Sequence, residues 1–142
     1  MTSVTQIFKC DVKTKRELPL FLSRIRAGFP SPADDYLDKK LDLNEFLIKH
    51  PASTFYVKVK GDSMIKAGIY SGDILVVDRS LDPKDKKIVV AVVNGEFTVK
   101  RVRKKNEKLF LVSENDSYEP IEIKEDMDFQ VWGVVLHVIH SV

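Results

Sequence analysis

The dipeptide Asn94-Gly95 lies between Ile88-Val89-Val90-Ala91-Val92-Val93 and Glu96-Phe97-Thr98-Val99-Lys100-Arg101-Val102, and no other stretch constrains the fold of this chain as strongly. Asn-Gly accepts the left-handed backbone conformation that both central residues of a type I′ turn require, and β-branched runs on either side favour strands. The pattern predicts a two-residue antiparallel hairpin. Its register then follows: Val93 pairs with Glu96, and Val89 falls opposite Lys100. Alternation places Val89, Ala91, Thr98, Lys100 and Val102 on one face.

A lysine among aliphatic groups has two fates. It can snorkel, with its stem packed and its ammonium in water, as strand lysines commonly do. Alternatively it is buried, and desolvation then drives its pKa down until the amine is neutral and able to act as a base. A second segment raises the same kind of choice. Phe55-Tyr56-Val57-Lys58-Val59-Lys60 alternates like a strand, and Gly61-Asp62 turns it, leaving Ser63 just beyond. Gly-Asp-Ser is a common turn whose side chains bond local backbone. Beside a neutral amine, however, a serine hydroxyl becomes a nucleophile. Neither segment decides the matter alone.

The remaining C-terminal sequence continues the β pattern. Turns are expected at Gly68 to Gly72 and at Asp82-Pro83-Lys84-Asp85, with strands over Asp73 to Asp78, Leu109 to Ser113, Ile121 to Ile123 and Phe129 to Ile139. Gly133 marks a candidate bulge in the last of these. The N-terminal third reads differently. Met1 to Ile25 carries no clean period, and Leu18-Pro19-Leu20-Phe21-Leu22 is only a short apolar patch. Ser31-Pro32 has the form of a helix start, with Asp34 and Asp35 in its first turn and Tyr36, Leu37 and Leu41 facing inward. Asp42-Leu43-Asn44-Glu45 has capping-box spacing, so a second helix is expected to run to His50, with Phe46 and Leu47 inward and Pro51 as its stop.

Composition limits the function classes. A chain of 142 residues with 44% hydrophobic and 31% charged residues suits one ordinary globular domain, and a net charge of +2 gives no electrostatic argument for nucleic acid as the main partner. The basic run Lys100 to Lys108 reads as a solvated hairpin tip, so direct sequence-specific DNA binding is not expected. Cys10 is a single cysteine and supports no intramolecular disulfide. Together with a polar N-terminus and no apolar run long enough to span a bilayer, this points to a cytoplasmic protein with no membrane association. His50, His137 and His140 show no ligand spacing, so neither a metal nor another cofactor is expected.

Taken together, Gly61-Asp62-Ser63-Met64, Gly72-Asp73-Ile74-Leu75-Val76-Val77-Asp78 and Gly95-Glu96-Phe97-Thr98-Val99-Lys100-Arg101 resemble the LexA/UmuD family of self-cleaving Ser–Lys peptidases. The resemblance extends over Gly28-Phe29-Pro30-Ser31-Pro32-Ala33, Asp42-Leu43-Asn44 and Val131-Trp132-Gly133-Val134-Val135. It covers Gly28 to the C-terminus and is closest to the UmuD branch, accessory subunits of SOS-induced translesion polymerases.

The resemblance implies a mainly β, LexA-like peptidase fold, a curved and partly open sheet preceded by an extended arm and short helices. Residues 1–27 would be an arm removed by self-cleavage, and residues 28–142 the peptidase and dimerisation domain. Ser63 would be the nucleophile, Lys100 the general base, and Ala27–Gly28 the scissile bond. Ala-Gly is the dipeptide of the repressor branch, and its small P1 side chain leaves the chemistry intact. Backbone N–H groups of Asp62 and Ser63 would donate to the oxyanion. The implied partners are a second copy of the chain, the RecA filament on single-stranded DNA, and a UmuC-type Y-family polymerase subunit. The stretch ahead of Ala27 is too short for a helix-turn-helix domain, which argues against a repressor. Two other readings stay open: a non-catalytic β-rich interaction module that retains the serine and lysine, and a LexA-like protease acting on another regulator.

Overall fold

The computed structural model describes residues 1–13, 17–21 and 37–142. Two compact units form, one from Met1–Cys10 with Ala52–Val142 and the other from Asp11–Pro51. In chain order the strands are β1 (Ser3–Lys9), β2 (Glu17–Phe21), β3 (Leu37–Asp42), β4 (Thr54–Lys60), β5 (Ile74–Asp78), β6 (Ile88–Val93), β7 (Glu96–Lys105), β8 (Lys108–Val112), β9 (Ile121–Ile123) and β10 (Phe129–Ile139), with a helix α1 at Leu43–Leu47.

The larger unit is one eight-stranded sheet in the order β1-β4-β5-β10-β6-β7-β8-β9, with every neighbouring pair antiparallel. It curls into a partly open half-barrel, the mainly β architecture expected from the sequence. The hairpin forms as read: Asn94 and Gly95 take φ of 49° and 84°, Val93 pairs with Glu96, and Val89 pairs with Lys100. Its alternating residues feed two apolar clusters. Val90 and Val99 join Val57, Val59, Met64, Ile69, Leu75 and Val77, whereas Val89, Ala91 and Val102 join Leu111 and Val134. Each such fully buried aliphatic side chain contributes about 1.5–3 kcal/mol, so register errors in this hairpin are strongly disfavoured. Gly133 does mark a bulge, since the β10–β6 register shifts between Val131 and Gly133.

The aspartates that bound β5 anchor it at both ends. Asp73 accepts from Tyr70 N–H at 2.8 Å and contacts His140 Nδ1 at 2.6 Å. Asp78, fully buried, accepts from Ser53 Oγ at 2.8 Å and from Ser80 N–H and Oγ at 2.8 and 2.7 Å. Among the described residues no helix is long and apolar enough to cross a membrane.

The N-terminal third corrects several sequence expectations. Ser3–Lys9, which shows no period, is an edge strand on β4. Leu18 to Phe21 belongs to β2, which pairs with β3 as a separate two-stranded ribbon. Leu37 and Leu41, expected on a helix, lie in β3. Their i, i+4 spacing suits a helical face, but backbone pairing with β2 prevails. The start of that expected helix, from Ser31 to Tyr36, lies outside the described residues. Asp42 does cap α1, accepting from Glu45 N–H at 3.0 Å. The helix ends at Leu47 rather than near His50, because Ile48 turns extended (φ −118°, ψ 106°) and is buried. Phe46, expected inward, is about half exposed at 51%.

Candidate active site

β4 ends at Lys60, and Gly61 then takes φ of +106°, a backbone state that side chains disfavour. The turn brings Ser63 and Met64 into the interior, both with no exposed surface. A second segment, residues 113–118 beyond β8, staples it there. Lys66 N–H donates to Glu114 O at 2.9 Å, Glu114 N–H meets Met64 Sδ at 3.4 Å, and Asn115 Nδ2 donates to Asp62 O at 2.9 Å. Tyr118 OH donates to Asp62 Oδ1 at 2.5 Å, and this bond to a carboxylate holds the phenol above its ordinary pKa. Among the described residues the backbone N–H groups of Asp62 and Ser63 find no acceptor.

Lys100 enters from the other side on β7. Its side chain is buried, with 1% exposed, on the face it shares with Val89 and Val102. Desolvation lowers its pKa from the ordinary 10.5. No carboxylate pairs with it among the described residues. Nζ bonds to Ser113 Oγ at 2.5 Å and lies 5.3 Å from the centre of the Tyr118 ring. Arg101, the next residue, points to the opposite face, where it pairs with Glu114 and donates to Lys86 O at 2.6 Å.

The first two residues of the chain lie between these segments. Thr2 N–H donates to Ser63 Oγ at 2.6 Å, while Thr2 O accepts from Val99 N–H at 3.1 Å and Thr98 Oγ1 at 3.3 Å. The Met1 amine reaches Tyr118 OH at 2.8 Å. A Cβ at Gly61 would lie 2.2 Å from Met1 O, so this close approach requires glycine there. Ser63 and Lys100 thus border one buried neighbourhood, but each is bonded to a third group. Among the described residues they share no hydrogen bond with each other.

Of the residues singled out from sequence, Asp62 and Lys100 both face Tyr118, and Ser63 follows Asp62 on the same turn. Ala27 and Gly28 lie outside the described residues. Sequence reasoning missed Thr2, Ser113 and Tyr118, whose involvement depends on distant segments closing together. The only available signal was that Ser113 ends an apolar strand. No group of three or more histidine, cysteine or acidic side chains converges among the described residues in a manner suited to a metal ion.

The curled, mainly β sheet is the fold of a peptidase family. The chain belongs to the S24-like peptidases, whose family model matches residues 19–136. Among curated relatives it is 45% identical over 128 residues to Protein ImpA of Escherichia coli, covering 86% of this chain and 83% of the relative. It is 46% identical over 123 residues to Protein SamA of Salmonella typhimurium, covering 87% and 85%. LexA repressor 1 of Xanthomonas campestris pv. campestris is 39% identical over 120 residues, which span 84% of this chain and 59% of that repressor. The LexA/UmuD resemblance read from the motifs therefore holds at the family level.

Proposed function

We propose that this protein cleaves its own chain between Ala27 and Gly28, with Ser63 as nucleophile and Lys100 as general base. The observation that carries this reading is the Lys100 amine, enclosed by the sheet, paired with no carboxylate among the described residues and shifted towards neutrality by desolvation. An amine kept for structure alone would be held charged by an acid or would reach water.

In the proposed reaction neutral Lys100 takes the Ser63 proton as Oγ attacks the Ala27 carbonyl. The N–H groups of Asp62 and Ser63, without an acceptor among the described residues, are suited to receive the developing oxyanion. The C–N bond breaks, and Lys100 returns the proton to the Gly28 amine. Water, deprotonated by Lys100, then releases the acyl group from Ser63. Because the scissile bond belongs to the same chain, no entropy is spent on collecting a substrate.

Thr2 N–H on Ser63 Oγ describes a resting arrangement in which the nucleophile is engaged elsewhere. Attack requires that bond to open and the hydroxyl to turn to the amine, so cleavage is slow unless a partner shifts the population or alkaline pH neutralises the amine. By resemblance to the LexA and UmuD proteins, that partner is the RecA filament on single-stranded DNA. The processed form, from Gly28 onward, would pair with a second copy and serve a UmuC-type polymerase in the SOS response. Similarity to LexA repressor 1 and to ImpA and SamA supports this setting.

The test is intact-mass analysis after incubation at alkaline pH without a partner. Two fragments divided at Ala27–Gly28, lost in both Ser63→Ala and Lys100→Ala, are expected. Equal cleavage in either variant defeats the reading. The same Thr2–Ser63 bond favours one competitor, an interaction module that keeps the serine and lysine without using them; it predicts an intact chain at every pH.

A further inference from the structure

Resting on the Ser–Lys reading above, we infer that Ser113 is a positioning residue that aims the Lys100 amine for proton transfer. Lys100 carries four methylene groups and ends in a group that rotates freely unless something fixes it, and a base a fraction of an ångström out of place loses much of its effect. The apolar wall supplied by Val89, Val102 and their cluster excludes water but fixes no direction. A carboxylate would fix direction but would also keep the amine charged. A hydroxyl avoids both faults. It accepts from the ammonium and can also bond the neutral amine, so it holds Nζ in either protonation state.

The fold supplies one such hydroxyl. β8 pairs with β7 through Arg101 and Val112, which brings Ser113 beside Lys100. Its Oγ lies 2.5 Å from Nζ in a site only 8% exposed, and this is the one hydrogen bond the Lys100 amine makes among the described residues. Thr98, the other hydroxyl on that face of β7, is turned to Thr2 O. The segment holding Ser113 is also the one that staples the Ser63 turn through Glu114 and Asn115. One element therefore locates both the nucleophile and the base. Among the described residues the charged and titratable groups around Nζ are few. Tyr118 faces it through its ring, and that phenol is bonded to Asp62 from the turn and to the Met1 amine from the N-terminus. Glu114 is taken by Arg101.

The experiment follows partner-free cleavage of the full chain by intact mass from about pH 7 to pH 11, a range chosen to bracket an amine with a lowered pKa. It compares the parent with Ser113→Ala, Ser113→Thr and Ser63→Ala. Loss of the hydroxyl leaves the ammonium without its acceptor, and a charged donor suffers more from this than a neutral one. Ser113→Ala is therefore expected to lower the plateau rate about tenfold or more and to move the midpoint of the alkaline rise to lower pH. Ser113→Thr is expected to recover most of the plateau. In the non-cleaving Ser63→Ala background, the Lys100 13Cε resonance should titrate at lower pH when Ser113→Ala is added. A Ser113→Ala rate profile overlaying the parent overturns the inference. So does a Lys100 resonance whose midpoint does not move, whatever happens to the rate, because a merely structural serine would cost folded protein and leave that midpoint alone. If Ser63→Ala still cleaves, the Ser–Lys reading fails and this inference falls with it. If Ser63→Ala is silent while Ser113→Ala behaves as the parent, only the role of Ser113 is lost.

Discussion

The turn that carries Ser63 and the strand that carries Lys100 bury a polar group apiece by different means. The turn is irregular backbone, held by cross-links to residues 113–118 and by the first two residues of the chain. On the strand, pairing with β6 on one side and β8 on the other fixes the backbone of the lysine, and the Ser113 hydroxyl meets its amine. The hydroxyl therefore sits in a place that can be reorganised, and the amine in one that cannot. The proposed catalytic pair would be well served by a rigid base and an adjustable nucleophile.

The largest expected effect tests the rigid half. Lys100→Arg replaces an amine that can become neutral with a guanidinium that cannot, inside a site where no carboxylate among the described residues meets it. Cleavage should fall by about 10²–10⁴-fold, and the chain should lose about 3 kcal/mol or more of stability from the uncompensated buried charge. Fragment mass and denaturant unfolding measure the two losses; an active Lys100→Arg protein would remove the lysine from the mechanism.

Lys100→Met probes the same site with the opposite sign on stability. The unfolded lysine titrates near 10.5 and the folded one lower, so between those values the unfolded chain binds more protons. Stability from this group is at its worst below the folded value and recovers as pH rises towards 10.5. Lys100→Met should stabilise the fold by about 1–2 kcal/mol at neutral pH and flatten that rise while abolishing cleavage. Thermal melts across the alkaline range would expose a lysine that was never desolvated, because the two proteins would then show parallel curves.

The adjustable half answers to Thr2→Pro, which deletes the N–H that engages Ser63 Oγ. Loss of one buried hydrogen bond costs about 1 kcal/mol, and the freed hydroxyl should raise partner-free cleavage about fivefold, the population change that such an energy allows. A slower variant would mean that Thr2 assists the serine rather than occupying it. Arg101→Ala should matter least. The Arg101–Glu114 pair is partly exposed and is worth under about 1 kcal/mol, so cleavage should fall only slightly as the stapling segment loosens. A large loss there would show that the staple, and not strand register, places Lys100.

These contrasts also explain which parts could be read from the chain. Lys100 was legible because turn chemistry at Asn94-Gly95 and strict alternation are local rules, and its partner Val89 follows by counting. Ser63 was legible only as the residue after a glycine turn. β1 was not legible, since five of its seven residues are exposed and it is held by backbone bonds to β4. Leu37 and Leu41 misled because their spacing fits a helix, whereas a strand partner far along the chain decided the outcome. Ser113 and Thr2 were invisible for a related reason. Their roles come from segments 13 and 61 residues away in sequence from the groups they touch, and no window along the chain contains both ends of such a contact.

The two-residue loop at Asn94-Gly95 has a consequence that reaches well past the hairpin. Neighbours of Lys100 along β7 are Val99, which belongs to the other apolar cluster, and Arg101, which faces Glu114. The parity of that loop therefore chooses which side chain stands in the proposed peptidase site. Adding one residue there would offer the serine either an inert valine or a permanently charged guanidinium, with every functional side chain still encoded in the gene.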